Sequence, residues 1–417
     1  MQSIEELLRY LVEKGGSDLH ILSGLKPAIR LHGELVPVEG TEPLSPERAQ
    51  EMTYAVLSPA QIERFENDPK SRNELDFALG LSGVGRFRFN LHRQRGTVGA
   101  VVRALATKIP TLEELGVPKA VWDLCNVKKG LILVTGPTGS GKSTTLAAIV
   151  DRLNETRAEH ILTIEDPIEY IHNSKRAYVT QREVGDGGDS GDTLSFKNAL
   201  KYALRQDPDI ILIGEMRDYE TIGIAVTSAE TGHLVFGTLH TSSCSQTVGR
   251  MIDVFPPDQQ SQIEVQVAQN LVGVVSQILL PRCDKPGRVL CPEIMKCNSA
   301  VRNNIRSHNI DAIYQSIQTG SKEGMITMDQ SIMNLIESGK VSYEAAMPHV
   351  RDDMTHKRIQ EITGSKPPSA PTAAPTSSED AATPVPNERP TNGQGAQQRP
   401  APRPRGMAIP PWEQQGR

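Results

Sequence analysis

The stretch Leu131-Ile-Leu-Val-Thr-Gly-Pro-Thr-Gly-Ser-Gly-Lys-Ser-Thr144 constrains this chain more than any other. An apolar run of strand length stops at Gly136, the residues from there to Ser143 fit G-x-x-x-x-G-K-[ST], and a helical pattern opens at Thr144. A polyphosphate must be wrapped by backbone N–H groups, and only a glycine-rich loop lets the backbone approach so closely. Gly136, Gly139 and Gly141 supply that freedom, with Pro137, Thr138 and Ser140 between them. The following helix, read as Thr144–Arg152, aims the positive end of its dipole at the phosphates. Lys142 is placed to reach the β and γ oxygens, and the Ser143 hydroxyl to ligate Mg²⁺. A glycine-rich turn with a chance lysine is the alternative. The strand before the loop and the apolar Ala147, Ala148 and Ile149 after it argue for the phosphate cradle.

At 417 residues, 37% hydrophobic and 23% charged, the chain has the composition of a soluble globular protein of two or three domains. A net charge of -5 excludes a global attraction to nucleic acid or to an anionic membrane, so only a local patch can provide either. Cys125, Cys244, Cys283, Cys291 and Cys297 are odd in number, scattered and free of any C-x-x-C pair. That pattern predicts reduced thiols rather than a disulfide framework or a zinc site, with Cys283, Cys291 and Cys297 alone close enough to keep a metal in view. The N-terminus reads as a charged amphipathic helix rather than a signal peptide, and no apolar run approaches the ~20 residues that span a bilayer. A cytoplasmic location is expected.

Ile4, Leu7, Leu8, Leu11 and Val12 fall at helical spacing before Gly15-Gly16. Alternating segments at Ala28–Leu31, Glu34–Val38, Leu75–Leu79 and Arg86–Leu91 predict strands, and Pro46–Leu57 and Pro59–Glu66 predict helices. This mixed α/β unit is expected to fill residues 1–106. Its last part is basic, with Arg86, Arg88, His92, Arg93, Arg95 and Arg103, which form either a solvated strand face or a surface reaching a neighbour's nucleotide. A linker at 107–118 leads into a second unit, 119–364. There, buried-looking strands at Ile161–Ile164, Ile210–Ile213 and Leu234–Leu239 alternate with helical segments at Phe196–Gln206 and Glu220–Glu230, as in a parallel α/β sheet. From Ser365 to Arg417 Pro, Ala, Ser, Thr and Gln dominate, predicting a disordered tail that serves as a spacer or a partner-binding end.

In a parallel sheet, functional groups gather at the strand ends. Glu165-Asp-Pro-Ile-Glu169 follows one strand and Gly214-Glu-Met-Arg-Asp218 another, while Thr231-Gly-His233 precedes a third that ends in His240-Thr241. Glu215 is the candidate for holding Mg²⁺, directly or through water, and Glu165 for orienting and deprotonating the attacking water. Turn capping before Pro167 is the structural alternative for Glu165 and Asp166. His233 is either a γ-phosphate sensor or a satisfied core histidine.

In this order behind this loop, Glu165–Glu169, Arg205-Gln-Asp-Pro-Asp209, Gly214–Asp218, Glu230-Thr-Gly-His233 and Thr238-Leu-His-Thr241 resemble the secretion ATPase superfamily. Within it the chain is most similar to the type IV pilus retraction ATPases, the PilT family, from about Ser3 to about His349. The resemblance implies a PAS-like N-terminal domain, a RecA-like ATPase domain, ATP bound between domains, and a homohexameric ring. It also implies roles for Lys142 and Ser143 in the Walker A motif, Glu165 as catalytic base, Glu215 in an atypical Walker B motif and His233 in the His box. Arg88 and Arg103 match the arginines that approach the nucleotide from the N-terminal domain.

The implied function is retraction of type IV pili and twitching motility. The implied partners are an inner-membrane platform protein, through which alone the ring meets the membrane, and a second pilus ATPase; nucleic acid is not among them. An accessory retraction ATPase and a nucleotide-gated ring without productive turnover are the rival expectations. The chain lacks the tetracysteine module usual in pilus assembly ATPases. The family's motif near Ala300–Ser307 is altered here, and Asp186–Asp192 is a longer, glycine-rich loop than the family's usual turn. On a helix, Val301 and Ile305 form an apolar stripe and Arg302 and Arg306 a basic one, expected to pair with acids on a neighbouring module or on the platform protein.

Overall fold

The computed structural model describes residues 3–31, 33–69, 72–105, 108–185 and 191–363. The expected proline-rich tail and residues 186–190 of the glycine-rich loop lie outside the described residues.

Two sheets organise the described residues. The first comprises β1 (Asp18–Ile21), β2 (Ala28–Leu31), β3 (Glu34–Pro37), β4 (Glu74–Leu81), β5 (Gly85–Gln94) and β6 (Thr97–Leu105), with α1 (Ile4–Glu13), α2 (Pro46–Tyr54) and α3 (Pro59–Asn67). All its neighbours are antiparallel, in the order β3-β2-β1-β6-β5-β4. Each helix opens on a serine cap, Ser3, Ser45 or Ser58, whose side chain accepts a backbone N–H of the first turn. Strand alternation sorts the side chains between two faces. Phe87, Phe89 and Leu91 of β5 and Val98, Ala100 and Val102 of β6 are buried with Leu7, Leu8 and Leu11 of α1, while Arg88 and Arg103 are exposed on the other face.

The second sheet follows α4 (Lys119–Cys125). Its strands are β7 (Gly130–Thr135), β8 (His160–Glu165), β9 (Tyr178–Glu183), β10 (Ile210–Ile213), β11 (Leu234–Leu239), β12 (Leu271–Pro281) and β13 (Arg288–Lys296). Between them lie α5 (Lys142–Thr156), α6 (Phe196–Ala203), α7 (Tyr219–Glu230), α8 (Cys244–Asp253) and α9 (Pro257–Asn270). The order is β13-β12-β7-β11-β10-β8-β9, and β13 alone runs antiparallel. β7, β10 and β11 are buried along their whole length, because helices cover both faces. On β7, Leu131 and Leu133 join one core with α7, α8 and α9, and Ile132 and Val134 join the other with α4 and α5. Each such side chain contributes about 1.5–3 kcal/mol by leaving water. The helix expected over Thr144–Arg152 runs longer, from Lys142 to Thr156.

α10 (Ser299–Arg306), α11 (Asp311–Thr319), α12 (Met328–Glu337), α13 (Tyr343–Ala346) and α14 (Asp353–Thr363) complete the described chain. Val301 and Ile305 are fully buried on α10. Arg302 departs from expectation: it donates to the carbonyls of Ala268, Gln269 (2.7 Å) and Leu271 (3.4 Å) rather than to acids. It therefore caps the C-terminus of α9, where unpaired carbonyls and the negative end of the helix dipole attract a cation. On β13 the buried Glu293 accepts the N–H groups of Cys244 (2.6 Å) and Met328 (3.3 Å), the first residues of α8 and α12. Among the described residues no helix is long and apolar enough to cross a membrane.

Candidate functional site

β7, β8, β10 and β11 are parallel, so their C-terminal ends lie along one edge of the sheet, where the residues beyond them line a cleft of about 400 Å³. The loop after β7 forms one wall, with Thr138, Gly139, Gly141, Lys142, Ser143 and Thr144 facing the cleft. Gly136, Pro137 and Ser140 complete the loop behind them. Gly136 has φ 144°, and a Cβ there would lie 2.2 Å from the Gln277 carbonyl oxygen and 2.6 Å from Ser140 Oγ. No side chain fits. The loop is further held by Gln277 on β12, fully buried, whose Nε2 donates to the Ser140 carbonyl at 2.7 Å.

Lys142 Nζ donates to the carbonyls of Gly136 (2.8 Å) and Pro137 (3.2 Å), folding the ammonium back over the loop. Burial pulls its pKa below the usual lysine value, against the opposing pull of Glu215 and Glu169.

Glu165 ends β8 and Glu215 follows β10. They come together because Gly214 lies against the end of β8: a Cβ on it would meet the Ile164 carbonyl at 3.1 Å and Glu165 Cα at 3.2 Å. Glu165 Oε1 accepts the Thr163 hydroxyl (2.6 Å) and the Gln181 amide (3.1 Å). Burial raises its pKa above the ordinary glutamate value, and those two hydrogen bonds oppose the rise. Glu215 behaves in the opposite sense. Burial pushes its carboxyl up, but the hydrogen bond and charge of Arg217, with the charges of His240 and Lys142, override burial and hold it below the usual range. Arg217 grips it bidentately, at 2.5 and 2.7 Å, and His240 Nε2 stands 3.1 Å away. One carboxylate is thus tuned toward taking a proton and the other toward staying charged.

Asp166 and Glu169 line the same cleft. Tyr170 ties their loop to α5 through a 3.0 Å hydrogen bond between its hydroxyl and Thr144 Oγ1. A second cleft of about 450 Å³ shares Gly141, Thr144, Leu279 and Arg288 with the first and adds Leu115, Leu290, Arg282 and Lys285.

Two groups of expected site residues stand elsewhere. His233 precedes β11, and Gly130 at the start of β7 donates its N–H to the His233 carbonyl at 3.0 Å. It therefore sits at the end of the sheet opposite the phosphate loop, its Nδ1 2.9 Å from the Ser228 carbonyl oxygen. His240, at the other end of the same strand, lines the cleft together with His172 of the loop after β8. Arg88 and Arg103 face each other across β5 and β6, and among the described residues none of the N-terminal sheet lines this cleft. Gln277 and Gln181 carry no spacing signal, while Arg217 lies within the Gly214–Asp218 stretch without a role assigned from sequence. His240 was present in the Thr238–Thr241 motif, and the direction of a parallel strand identifies it.

Residues 100–364 match the family model described as "Type II/IV secretion system protein". The chain is 46% identical over 343 residues to the type IV pilus retraction ATPase PilT of Pseudomonas aeruginosa, covering 82% of this chain and 96% of that protein. It is 41% identical over 362 residues to the type IV pilus ATPase PilU of the same organism, covering 87% and 92%. A crystal structure of the pilus retraction motor PilT with bound ADP superposes with a TM-score of 0.79 at 43% identity, covering 86% of this chain and all of that one. With a built phosphate loop and two oppositely tuned carboxylates over it, the chain belongs to the type II/IV secretion ATPases and, within them, to the PilT family of retraction ATPases.

Proposed function

We propose that this chain forms a homohexameric, Mg²⁺-dependent ATPase ring that powers pilus retraction from the cytoplasmic side of the inner membrane. The carrying observation is the pair Glu165 and Glu215, brought together by Gly214 above a complete phosphate loop. Lys142 exchanges its loop carbonyls for the β and γ oxygens of ATP. Glu165 takes a proton from water as the water oxygen attacks the γ-phosphorus, and the bond to the β–γ bridging oxygen breaks, releasing ADP and phosphate. The Ser143 hydroxyl and the ionised Glu215 are oxygen donors of the kind Mg²⁺ prefers, and they would hold it directly or through water. Bound there, the metal neutralises charge on the phosphates. The second cleft offers apolar Leu115, Leu279 and Leu290 to the nucleoside.

Arg88 and Arg103 serve a neighbouring subunit's site in this reading, which explains why the chain's own cleft takes nothing from the described residues of the N-terminal sheet. The domain division is 1–106, a linker at 107–118, and 119–364. Contact with the membrane runs through a platform protein. Deleting the gene and counting surface pili tests the reading: heavily piliated, non-twitching cells support retraction, and bald cells refute it. One second reading is an accessory motor that works beside another pilus ATPase. Retraction that persists in the deletion strain and weakens only under load selects it. A nucleotide-gated scaffold predicts no steady-state turnover by the purified ring.

A further inference from the structure

We propose that Gln181, on the edge strand β9, is a positioning residue that aims Glu165; this rests on Glu165 being the base that activates water. β8 and β9 are parallel neighbours with Thr163 opposite Gln181 and Glu165 opposite Glu183. The Gln181 side chain therefore leans toward the strand end that carries the base. Its amide is fully committed. Oε1 accepts the His172 N–H at 2.7 Å, and Nε2 donates to the Tyr170 carbonyl at 2.8 Å and to Glu165 Oε1 at 3.1 Å.

Those partners dictate which way round the amide lies. An N–H can only donate, so the His172 N–H requires the oxygen of Gln181, and the nitrogen must face Tyr170 and Glu165. The amide cannot flip without setting donor against donor and acceptor against acceptor. Its second hydrogen is thus directed at Glu165 by a framework of backbone groups from the loop that also reaches α5 through Tyr170 and Thr144.

Chemistry favours an amide at this position. Thr163 and Gln181 both donate to Oε1, so two neutral donors fix the carboxylate's rotation without neutralising its charge. A lysine or arginine there would form an ion pair and weaken the base, and an apolar side chain would leave Tyr170 O and the His172 N–H without this partner and Glu165 held by Thr163 without the amide. The small separation of a positioned base from water is worth a large factor in rate, because a misplacement of about 1 Å can lose about 10²-fold.

The test uses the purified full chain and two substitutions, Gln181→Glu and Gln181→Met, each made alone and together with Glu165→Gln. Gln181→Glu keeps the shape and the acceptor for His172 but removes the donor to Glu165; Gln181→Met keeps the volume and removes both. Steady-state and single-turnover ATPase measurements give kcat and KM for ATP. The expected result is a kcat reduced on the order of 10- to 100-fold with KM within about threefold of wild type. In the Glu165→Gln background the same substitutions should lower the rate no further, because the group they position is gone. Wild-type kcat in both single variants overturns the proposal, as does an equal loss in both backgrounds, which would show action independent of Glu165. Loss of ATP binding or of folding in both variants also overturns it, assigning Gln181 to loop stability alone. Near-normal turnover in Glu165→Gln by itself instead removes the base assignment, a different outcome from a dead Glu165→Gln beside unaffected Gln181 variants.

Discussion

Arg88 and Arg103 stand directly opposite each other on neighbouring antiparallel strands, and Asp18 on the next strand holds Arg103 through Nε at 2.9 Å. Like charges in that position repel, so the arrangement disfavours the isolated fold and suits a surface that meets an anion. Arg88→Ala should therefore leave the melting temperature unchanged or slightly higher. Its ATPase rate should fall steeply, since a guanidinium at a γ-phosphate contributes about 10³- to 10⁵-fold in related NTPases. Mixing Arg88→Ala subunits with Glu165→Gln subunits should restore part of the activity, because some sites then regain a full set of groups. Mixed rings that assemble and stay inactive would rule out action on a neighbour.

Lys142→Ala should abolish tight ATP binding, whereas Glu165→Gln should bind ATP and turn over about 10²- to 10⁴-fold more slowly. Nucleotide affinity and ATPase rate, measured on both, separate the two roles. Near-normal turnover in Glu165→Gln is the result that removes the base.

The acid limb of kcat should lie above the ordinary glutamate value of 4.5, because burial raises the Glu165 pKa and the base works only when deprotonated. Activity is thus present at high pH and lost as pH falls through that raised value. Lys142, Asp166, Glu169, His172, Glu215 and His240 share the cleft and shape the limb; burial keeps His172 neutral, with a pKa of about 4. Thr163→Val removes a donor to the charged form and should move the limb to higher pH. A limb that stays in place in this variant would show that Glu165 does not set it.

Arg302→Ala should destabilise the protein by about 1.5–3 kcal/mol through loss of the α9 cap, and Arg306→Ala, exposed on the same helix, by less than about 0.5 kcal/mol. Urea unfolding of the two variants checks the contrast. Equal stability would mean that the guanidinium does not cap α9.

Glu293→Leu should cost about 2–6 kcal/mol, because the Cys244 and Met328 N–H groups it serves are buried, and each unsatisfied donor costs about 1–3 kcal/mol. A urea midpoint close to wild type would show that water or a shifted backbone replaces the carboxylate.

The phosphate loop is legible in the sequence because its glycines, lysine and serine are local and their spacing is a chemical requirement. Glu165 and Glu215 follow from strand direction alone. Strand direction also places His240 at the nucleotide edge and His233 at the far one, because the strand between their two motifs carries the chain from one end of the sheet to the other. β9 escapes detection because Tyr178–Glu183 is a polar edge strand with no apolar alternation, and Gln181 within it acts through partners that no spacing reveals. Gln277 meets Ser140 across 137 positions of chain, a contact only folding creates. Arg302 looks like half of a salt-bridging stripe until α9 supplies carbonyls that outcompete any acid.

Glu183 is one carboxylate with two clients: Arg86 of the N-terminal sheet donates to it at 2.6 Å, and so does the Ile168 N–H, three residues beyond Glu165, at 3.1 Å. Both donors meet the same oxygen, Oε2, so tension on one is felt by the other. Separating the N-terminal sheet from β9 at this point has to break the charged contact. The same event strips a competitor from the backbone that follows the base. Through this one oxygen atom the N-terminal sheet is joined to the backbone three residues beyond the base.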